Sequence, residues 1–98
     1  MTQTNVNIDG PRVLVVEARE PVLKPIVVEF QAHGYQPDCV TTIRDALIKI
    51  QQNEYDVAVL DNQLADGEGS SLLPEIQAKT PDCVCIMMSA DDQSELAV

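Results

Sequence analysis

The sequence predicts an α/β domain built around a parallel β-sheet. Short runs that contain only apolar, mostly β-branched residues alternate with stretches in which apolar residues recur at helical spacing. Fully apolar runs are typical of parallel strands covered on both faces, and the alternation predicts helices packed on the faces of one sheet. Three of the four strand candidates end at a polar residue, namely Glu17, Asp61 and Ser89. The carboxyl edge of such a sheet is where ligands bind.

The composition indicates one folded domain. A chain of 98 residues is long enough for one small core, and 45% hydrophobic with 22% charged residues is typical of globular proteins. The net charge of −10 argues against nucleic-acid binding, because phosphate contacts need clustered Lys and Arg. The same charge is compatible with a bound cation or a basic protein partner.

The sequence also bears on compartment and on the state of the thiols. No apolar run approaches the roughly 20 residues of a membrane-spanning helix, and the start of the chain lacks the pattern of a signal peptide. We therefore expect a cytoplasmic protein with no membrane contact. Three cysteines in apolar surroundings favour buried free thiols over a disulfide framework. A single histidine, His33, leaves no usual zinc-site spacing.

The first half of the chain predicts two strands and one helix. Residues 1–11 are polar, end in a Gly-Pro pair and are expected to be a flexible N-terminal segment, so that the domain covers residues 12–98. Residues 13–16 form the first strand. A helix should begin at or just after Glu20, because proline is tolerated in a first turn, and Gly34 should end it. Residues 36–40 are a weak strand whose proline suits an edge of the sheet.

The second half repeats the pattern. Thr42 and Asp45 resemble a capping box before a second helix, and residues 57–60 form the third strand. Pro74 implies a late start for the third helix, and residues 83–88 form a fourth strand that stops at Ser89. The apolar positions of the second helix are Ile43, Ala46, Leu47 and Ile50.

The polar residues at the strand ends predict a site. If the strands are parallel, Glu17, Asp61 and Ser89 meet at one edge, and Asp61 is carried there by a stiff, buried strand. Oxygen ligands alone suit Mg²⁺, and an aspartate fixed beside Mg²⁺ can attack a phosphoryl group. One acid after one strand would favour simple solvation, but three polar strand ends together favour a site. The nearby loops add Glu20, Asp66, Glu68, Asp91 and Asp92.

The segments VLVVEAREP, YDVAVLDNQLADGEGSSLL and IMMSA resemble, in this order and spacing, the response-regulator receiver domains of two-component signalling. The resemblance implies a doubly wound parallel sheet of the flavodoxin-like receiver type. It implies that Asp61 is the phosphoacceptor and Ser89 the switch hydroxyl. It also implies that Glu17, Asp61 and the backbone carbonyl of Gln63 bind Mg²⁺. Such domains take phosphate from a histidine kinase or phosphotransfer protein and control an output domain or partner.

Two departures from the family pattern matter. Ala18 stands where the family has a second acid, and the next residue is the basic Arg19, so Mg²⁺ binding should be weakened. The chain stops at DDQSELAV, early in the fourth helix, before the family's fifth strand and its lysine. The fourth strand would then be an exposed edge. We expect a fragment of a longer regulator, a disordered remainder, or cover from another chain by dimerisation or strand exchange.

Two functions follow from these observations. The first is phosphoryl acceptance at Asp61, which shifts an equilibrium between two surface conformations. The second is a degenerate receiver that acts only as a protein-interaction or dimerisation module. An enzyme is not expected, because the aspartate-nucleophile phosphohydrolases generally carry a second aspartate where this chain has Gln63. A flavin-binding module is disfavoured by the acidic loop after residues 13–16 and by only three aromatic residues.

Overall fold

A computed structural model of the protein describes residues 10–88. Four strands form the main sheet, and a short two-stranded ladder follows the third of them. In chain order the elements are β1 (Arg12–Val16), α1 (Glu20–Ala32), β2 (Gln36–Val40), α2 (Ile43–Gln52), β3 (Val57–Asp61), β4 (Gln63–Leu64), β5 (Gly67–Glu68), a 3₁₀ turn (Gly69–Leu72), α3 (Leu73–Lys79) and β6 (Val84–Met88).

The main sheet is parallel throughout, with the order β2-β1-β3-β6. The two fully apolar strands, β1 and β3, lie in the middle, and β2 lies at an edge, as its proline predicted. Val13 is in register with Val57, and Val16 with Leu60, so β1 and β3 end side by side. The predicted parallel sheet is confirmed, and it brings the residues that follow these two strands to the same edge.

Both faces of the sheet are covered, which confirms the doubly wound arrangement. Alternate side chains of β1 and β3 point to opposite faces. One set packs with α2 and α3, through Leu14, Val16, Ala58, Leu60, Ala46, Ile50, Leu72 and Ile76. The other set packs with α1, through Val13, Val15, Val59, Leu23, Ile26 and Phe30. Because both central strands are buried on both sides, their ends are rigid supports for a site.

The helix boundaries agree with the sequence signals. Helix α1 begins at Glu20 with a proline in its first turn, and Gly34 follows it with φ +85°, a conformation that glycine adopts without strain. Helix α2 begins after Thr42, whose side-chain oxygen accepts a hydrogen bond from the backbone N–H of Asp45 at 3.1 Å. Helix α3 begins at Leu73, just before Pro74.

We expect Thr42→Ala to lower the free energy of unfolding by about 1 kcal/mol, because the N–H of Asp45 loses its capping acceptor. Urea unfolding monitored by circular dichroism measures the change. Thr41→Ala, at the exposed neighbouring position, is the matched control and should unfold like the wild type. Equal losses in the two variants would contradict the assigned cap.

Three details differ from the sequence prediction. β3 includes Asp61, because that residue still pairs with Met88 of β6. β6 begins one residue later than predicted, since the N–H of Cys83 donates to the carbonyl of Thr80 in the preceding turn. The ladder of β4 and β5 was not predicted, because strands of two residues carry no periodicity.

β6 lies at the second edge of the sheet and pairs with β3 alone among residues 10–88. Its Val84 and Ile86 are 58% and 46% exposed, as predicted for an edge strand. Ser89 and the start of the fourth helix lie outside the described residues, as do residues 1–9. Within residues 10–88 no helix combines the length and apolarity needed to cross a bilayer. Cys39, Cys83 and Cys85 are free thiols, as predicted, but the expectation that they are buried is wrong. Cys39 is exposed and the other two are half-buried, because β2 and β6 lie at the edges of the sheet.

Candidate functional site

Glu17 and Asp61 lie at the carboxyl ends of the adjacent strands β1 and β3. Both side chains are buried, with 0% and 2% of their surface exposed. The backbone N–H of Glu17 donates to the carbonyl of Val40 in β2, and Asp61 pairs with Met88 in β6. The backbone of each acid is therefore held by the neighbouring outer strand. The structure brings these two predicted site residues together.

Arg19 links the two carboxylates. Its backbone N–H and its Nε donate to Glu17 Oε2 at 2.8 and 2.9 Å, and its Nη2 donates to Glu17 Oε1 at 3.1 Å. The same Nη2 lies 3.8 Å from Asp61 Oδ2. Both oxygens of Glu17 are thus engaged by one residue, which also faces the predicted phosphoacceptor.

The electrostatics of the site follow from this contact. Burial raises the pKa of Glu17, but the hydrogen bonds and charge of Arg19 outweigh burial and leave that pKa below its ordinary value of 4.5. Glu17 in turn raises the pKa of Arg19. The acid is therefore ionised and the guanidinium protonated at neutral pH, so that one positive charge faces two carboxylates.

The loop after β3 fixes the second oxygen of Asp61. Asp61 Oδ1 accepts a hydrogen bond from the backbone N–H of Gln63 at 3.2 Å. Asn62 holds the rest of the loop, since its carbonyl accepts from the N–H of Gly69 and its side-chain oxygen from the N–H of Ser70. The carboxylate of Asp61 consequently has one oxygen oriented by the backbone and the other facing Arg19.

Among the described residues, the other acids predicted for this edge, Glu20, Asp66 and Glu68, are not part of that cluster. Asp66 accepts hydrogen bonds from the backbone N–H groups of Ile43 and Arg44 at 2.9 and 3.1 Å, so it caps α2. These bonds, that of Ile43 foremost, lower the pKa of Asp66. Glu20 and Glu68 are exposed. Asp91, Asp92 and Ser89 lie outside the described residues.

The arrangement does not fit a divalent cation as it stands. Mg²⁺ requires several oxygen ligands, and no group of three His, Cys, Asp or Glu residues suited to a metal occurs between residues 10 and 88. Two carboxylates are present, but Arg19 already binds one and faces the other. Ala18 supplies no ligand atom from its side chain.

Sequence reasoning found Glu17 and Asp61 but missed three roles. It noted Arg19 as basic without predicting that it bridges both acids. It treated Asp66 as a member of the acidic cluster, whereas Asp66 caps α2. It recognised glycines in the loop without predicting that Gly69 packs against the backbone of Asp61. The contacts of Arg19 with Asp61, of Asp66 with α2 and of Gly69 with Asp61 join separate segments, for which a single sequence carries no local signal.

Comparison with known proteins shows the family. The sequence model described as "Response regulator receiver domain" matches residues 13–98. The transcriptional regulatory protein BasR of Escherichia coli (strain K12) is 31% identical over 81 residues, which are 83% of this chain and 36% of BasR. The chain spans less than half the length of the curated relatives it matches.

Solved structures show the same similarity. The receiver domain of NtrC4 from Aquifex aeolicus is 33% identical, with a TM-score of 0.72 over 90% of this chain and 73% of that one. The receiver domain of the sensor histidine kinase PA1611 from Pseudomonas aeruginosa PAO1, which has a magnesium ion coordinated in its active site cleft, shares the fold at 24% identity. Its TM-score is 0.69 over 90% of this chain and 75% of that one. The chain belongs to the response-regulator receiver domain family.

Proposed function

We propose that this receiver domain accepts a phosphoryl group on Asp61 from the phosphohistidine of a histidine kinase or phosphotransfer protein, and that the modification controls an output domain or partner protein. The observation that carries the proposal is the placement of Asp61. It is a buried carboxylate at the end of a central strand, with one oxygen held by the N–H of Gln63.

In the proposed step, an oxygen of Asp61 attacks the phosphorus of the donor. The new P–O bond forms as the donor's P–N bond breaks, and the leaving imidazole takes its electron pair and a proton from solvent. Nothing is oxidised or reduced. A small acyl phosphate reacts in the same way: its P–O bond to the acyl group breaks, and the carboxylate is the leaving group. Ser89 is the proposed switch hydroxyl, which would donate a hydrogen bond to the phosphoryl group.

Receiver domains in general bind Mg²⁺, which offsets the charge of the transferring oxygens. The corresponding ligands in this chain are Glu17, Asp61 and the carbonyl of Gln63. Since Ala18 replaces an acid and Arg19 engages both carboxylates, we propose that Mg²⁺ binds here only weakly. The domain acts as a phosphoacceptor in the cytoplasm rather than as an enzyme, with no nucleic-acid or membrane contact of its own.

The alternative function is a degenerate receiver that works by protein contact alone. The contact between Arg19 and Asp61 favours it, because a carboxylate that faces a guanidinium is a weaker nucleophile. In that case the exposed edge strand β6 is the proposed surface for homodimerisation or strand exchange.

Treatment with acetyl phosphate, followed by intact-mass spectrometry, decides between the two functions. We expect a phosphoryl adduct in the wild type that is completely lost in Asp61→Asn. Asp66→Asn, which changes a nearby acid that caps α2, should retain the adduct. A wild type without adduct at saturating donor, with and without Mg²⁺, would leave the degenerate receiver as the function.

A further inference from the structure

We propose that Arg19 is the resident cation of this site and competes with divalent metal for its two carboxylates. The guanidinium lies against Glu17 and Asp61, the two carboxylates that a receiver-type metal would have to use. Arg19, rather than the missing acid at Ala18, is then the main barrier to metal binding. The inference deepens the proposed function, but only its last test rests on phosphorylation.

The backbone places Arg19 before its side chain makes any contact. Arg19 precedes α1, and its carbonyl accepts the N–H groups of Val22 and Leu23 at 3.0 and 2.9 Å. Its own N–H donates to Glu17 at 2.8 Å. The residue is therefore held from both sides, by the first turn of the helix and by the acid. Because the backbone of Arg19 is already fixed, its side chain loses less conformational entropy when it binds the carboxylates.

The side-chain contact has the geometry of a strong ion pair. Nε and Nη2 bind the two oxygens of Glu17 separately, at 2.9 and 3.1 Å, which is the fork arrangement that arginine makes with carboxylates. With Arg19 in place, Glu17 is inaccessible to solvent. A metal ion that takes Glu17 must break both hydrogen bonds and also give up part of its own hydration shell.

Charge counting gives the same result. Two buried carboxylates and one guanidinium leave one negative charge at the site, whereas removal of Arg19 leaves two. Like charges buried side by side are unfavourable, and a divalent cation would then relieve them. Loss of Arg19 should therefore raise the affinity for Mg²⁺ even though Ala18 is unchanged.

The wild type and three variants test the role of Arg19. Mg²⁺ binding is measured by calorimetric titration, and Tm is compared between MgCl₂ and NaCl at equal ionic strength. The wild type and Ala18→Asp should bind Mg²⁺ only weakly, with a small Mg²⁺-specific heat and little shift in Tm. Arg19→Ala should bind Mg²⁺ about tenfold more tightly than the wild type or better, and Ala18→Asp/Arg19→Ala more tightly still. Arg12→Gln is the matched control, since it removes an arginine that pairs with Asp38 at 2.9 Å, at the opposite end of β1.

Two results would overturn the inference. One is a wild type whose Tm rises with Mg²⁺ as much as that of Arg19→Ala. The other is Ala18→Asp alone binding Mg²⁺ as tightly as the double variant, which would make the missing acid the barrier. If Arg19→Ala does not fold, the comparison of wild type with Ala18→Asp still decides, because Arg19 remains in both.

A last test joins the inference to the proposed function. Acetyl phosphate should modify the wild type equally with Mg²⁺ and with EDTA, whereas modification of the double variant should require Mg²⁺. An adduct in the wild type that disappears with EDTA contradicts the inference but supports phosphoryl acceptance. The absence of any adduct contradicts the proposed function. The Mg²⁺ titrations still test the role of Arg19, because they do not depend on phosphorylation.

Discussion

Replacing Gly69 with alanine should lower the free energy of unfolding by about 1–3 kcal/mol, the usual range for forcing an extra methyl group into a packed site. The added Cβ would overlap the carbonyl oxygen of Asp61 and lie 3.0 Å from its carbonyl carbon. Gly69 is buried and its N–H donates to Asn62 at 3.1 Å. The loop therefore moves away only by losing that bond, or else the end of β3 shifts and carries Asp61 with it.

Thermal melting measures the loss, which corresponds to ~4–8 °C in Tm for each kcal/mol in a domain of this size. Phosphorylation by acetyl phosphate should fall in the same variant. Gly34→Ala is the matched control: that glycine has φ +85° but no atom near its would-be Cβ, so the substitution destabilises the backbone without touching the site. Wild-type stability in Gly69→Ala would refute the close approach.

Removing Arg19 should reverse the dependence of stability on pH. In the wild type the pKa of Glu17 lies below its unfolded value of 4.5. The contribution of Glu17 to stability is therefore present above that value and lost as the pH falls through the folded pKa. In Arg19→Ala, burial remains without its counter-ion and raises the pKa of Glu17. The variant should then become more stable as the pH is lowered from about 7 toward about 5. In the wild type the contribution of Glu17 to stability is constant over this range.

Urea unfolding across this pH range, in metal-free buffer, gives the two profiles. The double variant Glu17→Gln/Arg19→Ala is the control, because glutamine cannot ionise and the acid-stabilised behaviour should disappear with it. Parallel profiles for the wild type and Arg19→Ala would contradict the ion pair as the origin of the lowered pKa of Glu17.

The parallel sheet, its flanking helices and the meeting of Glu17 and Asp61 at one edge were predictable from the sequence. Residues 13–16 and 57–60 contain only apolar side chains. A strand of this kind is stable in water only when both faces of its sheet are covered. Glu17 and Asp61 follow these two strands directly. Parallel pairing then brings the two acids to one edge, and the observed adjacency of β1 and β3 makes them neighbours. Thr42 and Gly34 marked helix ends because capping and left-handed backbone depend on the residue and its immediate neighbours.

The contacts that the acids make were not predictable from the sequence. Arg19 could have pointed into solvent, as a charged side chain usually does, and its contacts with Glu17 and Asp61 exist because α1 begins directly after it. Asp66 caps α2 across 23 residues of sequence, and Gly69 touches Asp61 through a folded-back loop. Local patterns fix the backbone period, whereas ion pairs and close approaches depend on distances between segments that no local pattern encodes.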